Sequence, residues 1–237
     1  MRDRIVWIDV IRGISIIAMI TFHFAFDLMY FGFAEPDLIY QSDWKLFERM
    51  IAFSFLFIAG LSLSIKHGSS INWKSFLRRY GTTAICALLI STVTYILFNN
   101  NMIRFGILHA ISVSGLISLL LLKLNSLSLA SLAILVFLIN LLIPQPVEGD
   151  YFWQWFIYTT ETPNSLDYRP ILPWIIPFIF GMASYQLFKN WGLLEARNSI
   201  IHKEILFLSW LGKNSLIIYL IHQPVLFAGF LVLLQFS

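Results

Sequence analysis

Seven apolar segments follow one another along the 237 residues, near 9–31, 44–65, 79–98, 104–122, 127–143, 170–189 and 213–235. Each approaches the roughly 20 residues that a helix needs to cross a hydrocarbon core. In lipid every backbone N–H and C=O has to be satisfied inside the segment, which a helix does by itself. The fifth segment, between Ser126 and Pro144, is the shortest. The stretch 203–211 is too short to span and is expected as an interfacial or entry helix before the last span. Hydrophobic residues are 58% of the chain and charged residues 12%, a balance that excludes a soluble globular domain. No repeat of 20 to 50 residues and no long polar linker divides the chain. The expectation is an all-α, polytopic transmembrane helix bundle of about seven spans, forming one domain over 1–237.

Charge sets the expected orientation. The pI is near 9.0, but the basic residues sit at the ends of apolar segments and form no stripe, which argues against nucleic acid as a partner. With the N-terminus cytoplasmic, the inner set is Arg2, Arg4, Lys66, Lys74, Arg78, Arg79, Lys123, Lys189, Arg197 and Lys203, against only Lys45, Arg49, Arg104 and Arg169 outside. Glu35, Asp37, Asp43, Glu148, Asp150, Glu161 and Asp167 then fall in outer loops. Arg2 and Arg4 precede an apolar run as in a signal peptide, yet no small-residue cleavage site follows, so the run reads as a retained first span. Cys86 is the only cysteine, which removes intrachain disulfides and C-x-x-C chemistry.

The first span carries four ionisable side chains, Asp9, Arg12, His23 and Asp27. At about 100° per residue they share one helix face, and Arg12 and His23 lie roughly 16 Å apart along the axis. A central charge in lipid costs about 2.5–3.5 kcal/mol on insertion scales, so this stripe should face protein or a water-filled cavity, and its default reading is a functional site. The plainer alternative is an Asp9–Arg12 ion pair with His23 hydrogen-bonded to a neighbouring helix. His109 on the fourth span and His222 on the last reach similar depths. On the last span Ser215, Tyr219 and His222 recur at i, i+4 and i+7 and share a face, flanked by Asn214 and Gln223, and Pro224 permits a kink. Pro170, Pro173 and Pro177 point to a broken or bent sixth helix. Gly60 and Gly181 suit close helix crossings.

The outer loop 144–169 holds Tyr151, Phe152, Trp153, Trp155, Phe156 and Tyr158, either an interfacial aromatic belt or a sugar-stacking platform. No metal is expected. No pair of potential ligands sits at ligand spacing on one helix, and His67 and His202 fall in polar loops where a solvated role is expected. G-x-S-x-G, Walker A and Rossmann patterns are missing. Three classes stay open on the residues alone: an enzyme with an activated histidine, a transporter or proton-coupled channel on the same stripe, and a non-catalytic scaffold. Paired internal repeats, common in transporters, are not visible.

Ile8-Asp9-Val10-Ile11-Arg12-Gly13, followed by Met19 and His23, resembles the first-helix signature of membrane acyltransferases. It is most similar to bacterial proteins with the catalytic domain of heparan-alpha-glucosaminide N-acetyltransferase. Phe55-Leu56-Phe57-Ile58-Ala59-Gly60 and Leu211-Gly212-Lys213-Asn214-Ser215-Leu216, with Tyr219 and His222-Gln223-Pro224, support the likeness. The lysosomal enzymes carry Asn where His23 stands and place their proposed acetyl-accepting His in the following loop, which here (32–43) has no histidine. His23 is instead similar to the first-helix His of the acyltransferase-3 family, and this favours direct transfer.

The resemblance implies transfer of an acetyl or other acyl group from cytoplasmic acetyl-CoA to an amino sugar or other glycan outside, in the bacterial cytoplasmic (inner) membrane. It implies His23 as general base; Asp27, one turn along, is read as its partner, and His109 or His222 as completing the cavity. Arg12, Lys66, Arg78 and Arg79 would meet the CoA phosphates, with Asp9, Asn214 and Ser215 in the donor-binding set. The implied partners are acyl-CoA, the glycan acceptor and the lipid bilayer, and assembly into a homo-oligomer stays open.

Overall fold

The computed structural model describes residues 5–143, 146–148, 152–160, 165, 167–195 and 203–236. Arg2, Arg4, Asp150, Tyr151, Glu161, Arg197 and His202, to which the sequence assigned places, lie outside them. The architecture is all-α: α1 (Val6–Tyr30), α2 (Ser42–His67), α3 (Trp73–Phe98), α4 (Ile107–Ser118), α5 (Ser126–Leu142), α6 (Ile171–Asn190), α7 (Lys203–Lys213) and α8 (Ser215–Phe236). Among the described residues the only extended pairings are two isolated bridges, Phe105 with Tyr168 and Val147 with Thr159.

All seven expected segments are helical, and five helices, α1, α2, α3, α6 and α8, are long and apolar enough to cross a membrane. The fourth segment begins later than its apolar run. The Phe105–Tyr168 bridge, with the Arg169 N–H donating to the Phe105 carbonyl at 2.8 Å, keeps the chain extended until Gly106. Even with the 3₁₀ turn Leu119–Leu121 that follows it, α4 is among the shorter apolar helices, as is α5. Both fall short of the ~30 Å hydrocarbon thickness at about 1.5 Å per residue.

The chain forms two compact units, residues 1–55 with 194–237 and residues 56–193, the boundary falling inside α2. In the first, α1 buries Ile8, Asp9, Gly13, Ser15, Ile16, Met19, Ala25 and Asp27. α7, expected as an interfacial or entry helix, packs along α1. A Cβ on Gly13 would run into the Leu208 carbonyl, and one on Gly212 into the Asp9 carbonyl. The two helices therefore cross with their backbones in contact, as small residues allow. Asn214 makes the turn into α8, its side-chain amide donating to the Trp210 carbonyl at 2.9 Å.

In the second unit the same device recurs. A Cβ on Gly60 would meet the Phe178 carbonyl and one on Gly181 the Phe57 carbonyl, so the second half of α2 and α6 cross at these two glycines. The proline-rich start of α6 is interrupted at Leu172 (φ −100°, ψ 127°). There the Leu172 N–H donates to the Phe156 carbonyl at 2.7 Å. Between α4, α5 and α6 lies a cavity of about 300 Å³ lined by apolar side chains including Ile117, Leu132, Val136, Leu172 and Ile175.

Candidate active site

The stripe on α1 resolves into two pairs. Near the start of the helix, Arg12 Nη1 lies 3.1 Å from Asp9 Oδ1, with Asp9 buried, the i,i+3 ion pair of the plainer reading. Near its end stand His23 and Asp27, and α8 brings His222 and Gln223 to them. Asp27 is fully buried, and its Oδ1 accepts from Gln223 Nε2 at 2.7 Å. The His23 and His222 rings are 4.7 Å apart between centroids, inclined at 61°. Phe22 stands edge-on to His23. Phe31, Phe227 and Phe230 pack together where α1 ends against α8.

The tautomer of His222 follows from its partner. Its Nδ1 is 2.7 Å from the Tyr219 carbonyl oxygen, and a carbonyl can only accept, so Nδ1 carries the proton. In the neutral ring Nε2 then holds the lone pair. His222 Nε2, Asp27 Oδ2 and Gln223 Oε1 are buried with no hydrogen-bond partner among the described residues. All three atoms, an unprotonated ring nitrogen, a carboxylate oxygen and an amide oxygen, are acceptors. A buried acceptor left unpaired costs about 1–3 kcal/mol. The cluster is therefore matched to a ligand rich in N–H or O–H donors, such as an amine or a sugar hydroxyl. Ser215, half-buried, begins the same helix.

His109 belongs to the second unit. The Gly106 N–H donates to its Nδ1 at 3.2 Å, so Nε2 carries the proton and faces the Ser91 hydroxyl at 3.3 Å. Asp167 Oδ2 accepts the Ile107 N–H at 2.9 Å. Both side chains satisfy donors at the N-terminus of α4, where such groups otherwise lack partners. His109→Leu is expected to lower stability by about 1 kcal/mol, the usual cost of a lost cap, read as a lower thermal midpoint in detergent. An unchanged midpoint would remove the capping role.

Lys66 and Arg78 are exposed, and Arg79 is half-buried with its guanidinium 5.7 Å from the Tyr80 ring centre. His67, expected in a solvated loop, is instead buried at the end of α2, because α2 runs on through Lys66 and the Phe76 ring packs against the imidazole. In the loop before α6, Phe152, Trp153 and Trp155 are exposed, while Tyr158 accepts from Trp174 Nε1 at 2.9 Å. Tyr168 directs its hydroxyl at the Gln154 and Ile157 carbonyls, and burial pushes its phenol up to about 12. Among the described residues no three His, Cys, Asp or Glu side chains gather to hold a metal ion.

The family model of the heparan-alpha-glucosaminide N-acetyltransferase catalytic domain matches residues 4–224. The chain belongs to that family. It is thus an integral membrane protein of an acetyltransferase family. No curated protein and no solved structure matches it.

Within this member of the N-acetyltransferase family, the glycines of the first and last motifs have a packing reason. Gly13 and Gly212 let α1 and α7 touch. Asp9 and Arg12, expected in the donor-binding set, pair with each other within α1, and Asn214 forms the α7–α8 turn. The partner of Asp27 was not legible in the sequence. Gln223 stood there only as a flanking residue, and its single signal was its place beside His222.

Proposed function

We propose that this acetyltransferase-family protein carries an acetyl group from cytoplasmic acetyl-CoA to an amino sugar or other glycan on the opposite side of the bacterial inner membrane. What supports the reading most is the buried acceptor-only cluster of Asp27, His222 and Gln223 beside His23. It suits a nucleophile that arrives with N–H or O–H groups. His23 takes a proton from the acceptor nitrogen or oxygen as that atom attacks the thioester carbonyl, a step in which a positioned base is worth about 10²–10⁴. The C–S bond then breaks, and the proton leaves with the CoA sulfur.

The surrounding groups hold the charge. His222 Nε2, with its lone pair fixed by the Tyr219 carbonyl, accepts a hydrogen bond from protonated His23. The Asp27 carboxylate, oriented by Gln223, balances the imidazolium. Lys66, Arg78 and Arg79 serve the donor's phosphates.

The test is to reconstitute the protein in proteoliposomes, supply acetyl-labelled acetyl-CoA on one side and glucosamine on the other, and follow label in the sugar. Gln223→Leu frees Asp27 from its donor and is expected to slow transfer about tenfold without changing CoA affinity. Glucosamine crossing the membrane with no CoA present, and without acetylation, would make the protein a transporter.

A further inference from the structure

We infer that the turn between α2 and α3 is a phosphate-binding site in which the buried imidazole of His67 donates a hydrogen bond to a phosphate oxygen, beside Lys66, Arg79 and the Ser75 hydroxyl. His67 is 2% exposed. Its Nδ1 accepts the backbone N–H of Asn72 at 3.3 Å. An N–H can only donate, so Nδ1 holds the lone pair and the neutral ring carries its proton on Nε2. That Nε2–H is buried and has no acceptor among the described residues, and the Ser75 Oγ is in the same condition one turn into α3. The turn is built to hold these groups still. Asn72 caps α3, its Oδ1 accepting the Ser75 N–H at 2.9 Å, the Gly68 N–H donates to the Ser64 carbonyl, and the Phe76 ring fixes the imidazole plane.

Charge in this place has one sign. The charged neighbours acting on His67 are Lys66 and Arg79, and those acting on Lys66 are Arg78 and Arg79, so every charge that bears on the pair is positive. The N-terminus of α3, a 26-residue helix, adds the positive end of its dipole and its unpaired N–H groups. Here every group offers donors, the opposite of the α1–α8 cluster, where every free group accepts. Buried donors beside cationic side chains and a helix N-terminus match a phosphate ester.

Two sources carry that chemistry, CoA and the headgroup of an anionic phospholipid. Assignment to CoA rests on the transferase reading, whereas the phosphate site itself does not.

The experiment uses the full-length protein in nanodiscs. Calorimetric titrations with CoA and with pantetheine, which lacks phosphate, are made in phosphatidylcholine discs, and thermal midpoints are compared between these and phosphatidylglycerol discs. His67→Phe and Arg79→Gln are each expected to weaken CoA binding about tenfold or more, the scale of one hydrogen bond to a charged group, and to leave pantetheine binding unchanged. His67→Gln, which keeps a donor, should recover part of the loss.

If CoA affinity is untouched but the stabilisation by phosphatidylglycerol disappears in both variants, the site holds and its ligand is a lipid. If folded His67→Phe behaves as wild type in both assays while Arg79→Gln does not, only diffuse positive charge is at work and the site is overturned. Should His67→Phe fail to fold, Ser75→Ala replaces it, under the same criteria. Failure of acetyl transfer with intact CoA binding would count against the transferase reading and leave this site standing.

Discussion

His23→Ala is expected to lower acetyl transfer by a factor of about 10²–10⁴, the contribution of a positioned general base, while CoA binding stays at the wild-type value. On the proposed reading the effect falls on turnover, because there the imidazole acts on the acceptor proton during attack. Its neighbour His222 already has one nitrogen committed to the Tyr219 carbonyl at 2.7 Å. Asp27→Asn should also slow turnover, since it removes the negative charge opposite the imidazolium but keeps a group that Gln223 can meet. Single-turnover measurements with labelled acetyl-CoA, and CoA titrations on the same preparations, separate the two quantities. Full activity in His23→Ala would exclude it as the base, and loss of CoA binding in that variant would move it into the donor site.

Gly212→Ala is expected to destabilise the protein by about 3 kcal/mol, the upper part of the range for overpacking. The added methyl would meet the Asp9 carbonyl, a backbone atom that can move only if α1 moves with it. Gly229→Ala is the control. It also adds a methyl to a helical glycine in the first unit, but nothing lies within 4 Å of that Cβ. Relief of the glycine penalty should there raise stability by up to about 1 kcal/mol. Unfolding of the two variants in the same detergent reads the difference as thermal midpoints moving in opposite directions. Equal shifts would mean that the α1–α7 crossing is looser than described. Because α1 carries the whole polar stripe, a spread crossing should also reduce transfer in Gly212→Ala.

Helix number and type were readable from hydropathy alone, because a run of about 20 apolar residues in lipid has one way to satisfy its backbone. The polar face of α1 was readable as well, since 3.6-residue periodicity needs no knowledge of neighbours. The limits appear at particular residues. Arg104 and Phe105 look like the start of a span, but pairing with Tyr168, 63 residues further on by number, draws them out of the helix. His67 looks like a loop residue because Lys66 and Gly68 flank it, yet packing of Phe76 across the turn buries it. His109 is a candidate cavity histidine in the sequence, and its bonds to Gly106 and Ser91, which cap α4, have no signal there.

The division has a physical cause. Which segments are helical, and which face of each is polar, depends on the local backbone and on side chains three or four positions apart, and those are written in the chain itself. Which helix meets which depends on where backbones can approach, as at Gly13 with Leu208 and Gly60 with Phe178. A contact between residues nearly 200 positions apart leaves no local trace. The pairing of Asp27 with Gln223, the lone pair on His222 Nε2 and the proton on His67 Nε2 each depend on a hydrogen-bond partner whose position only the packed chain sets.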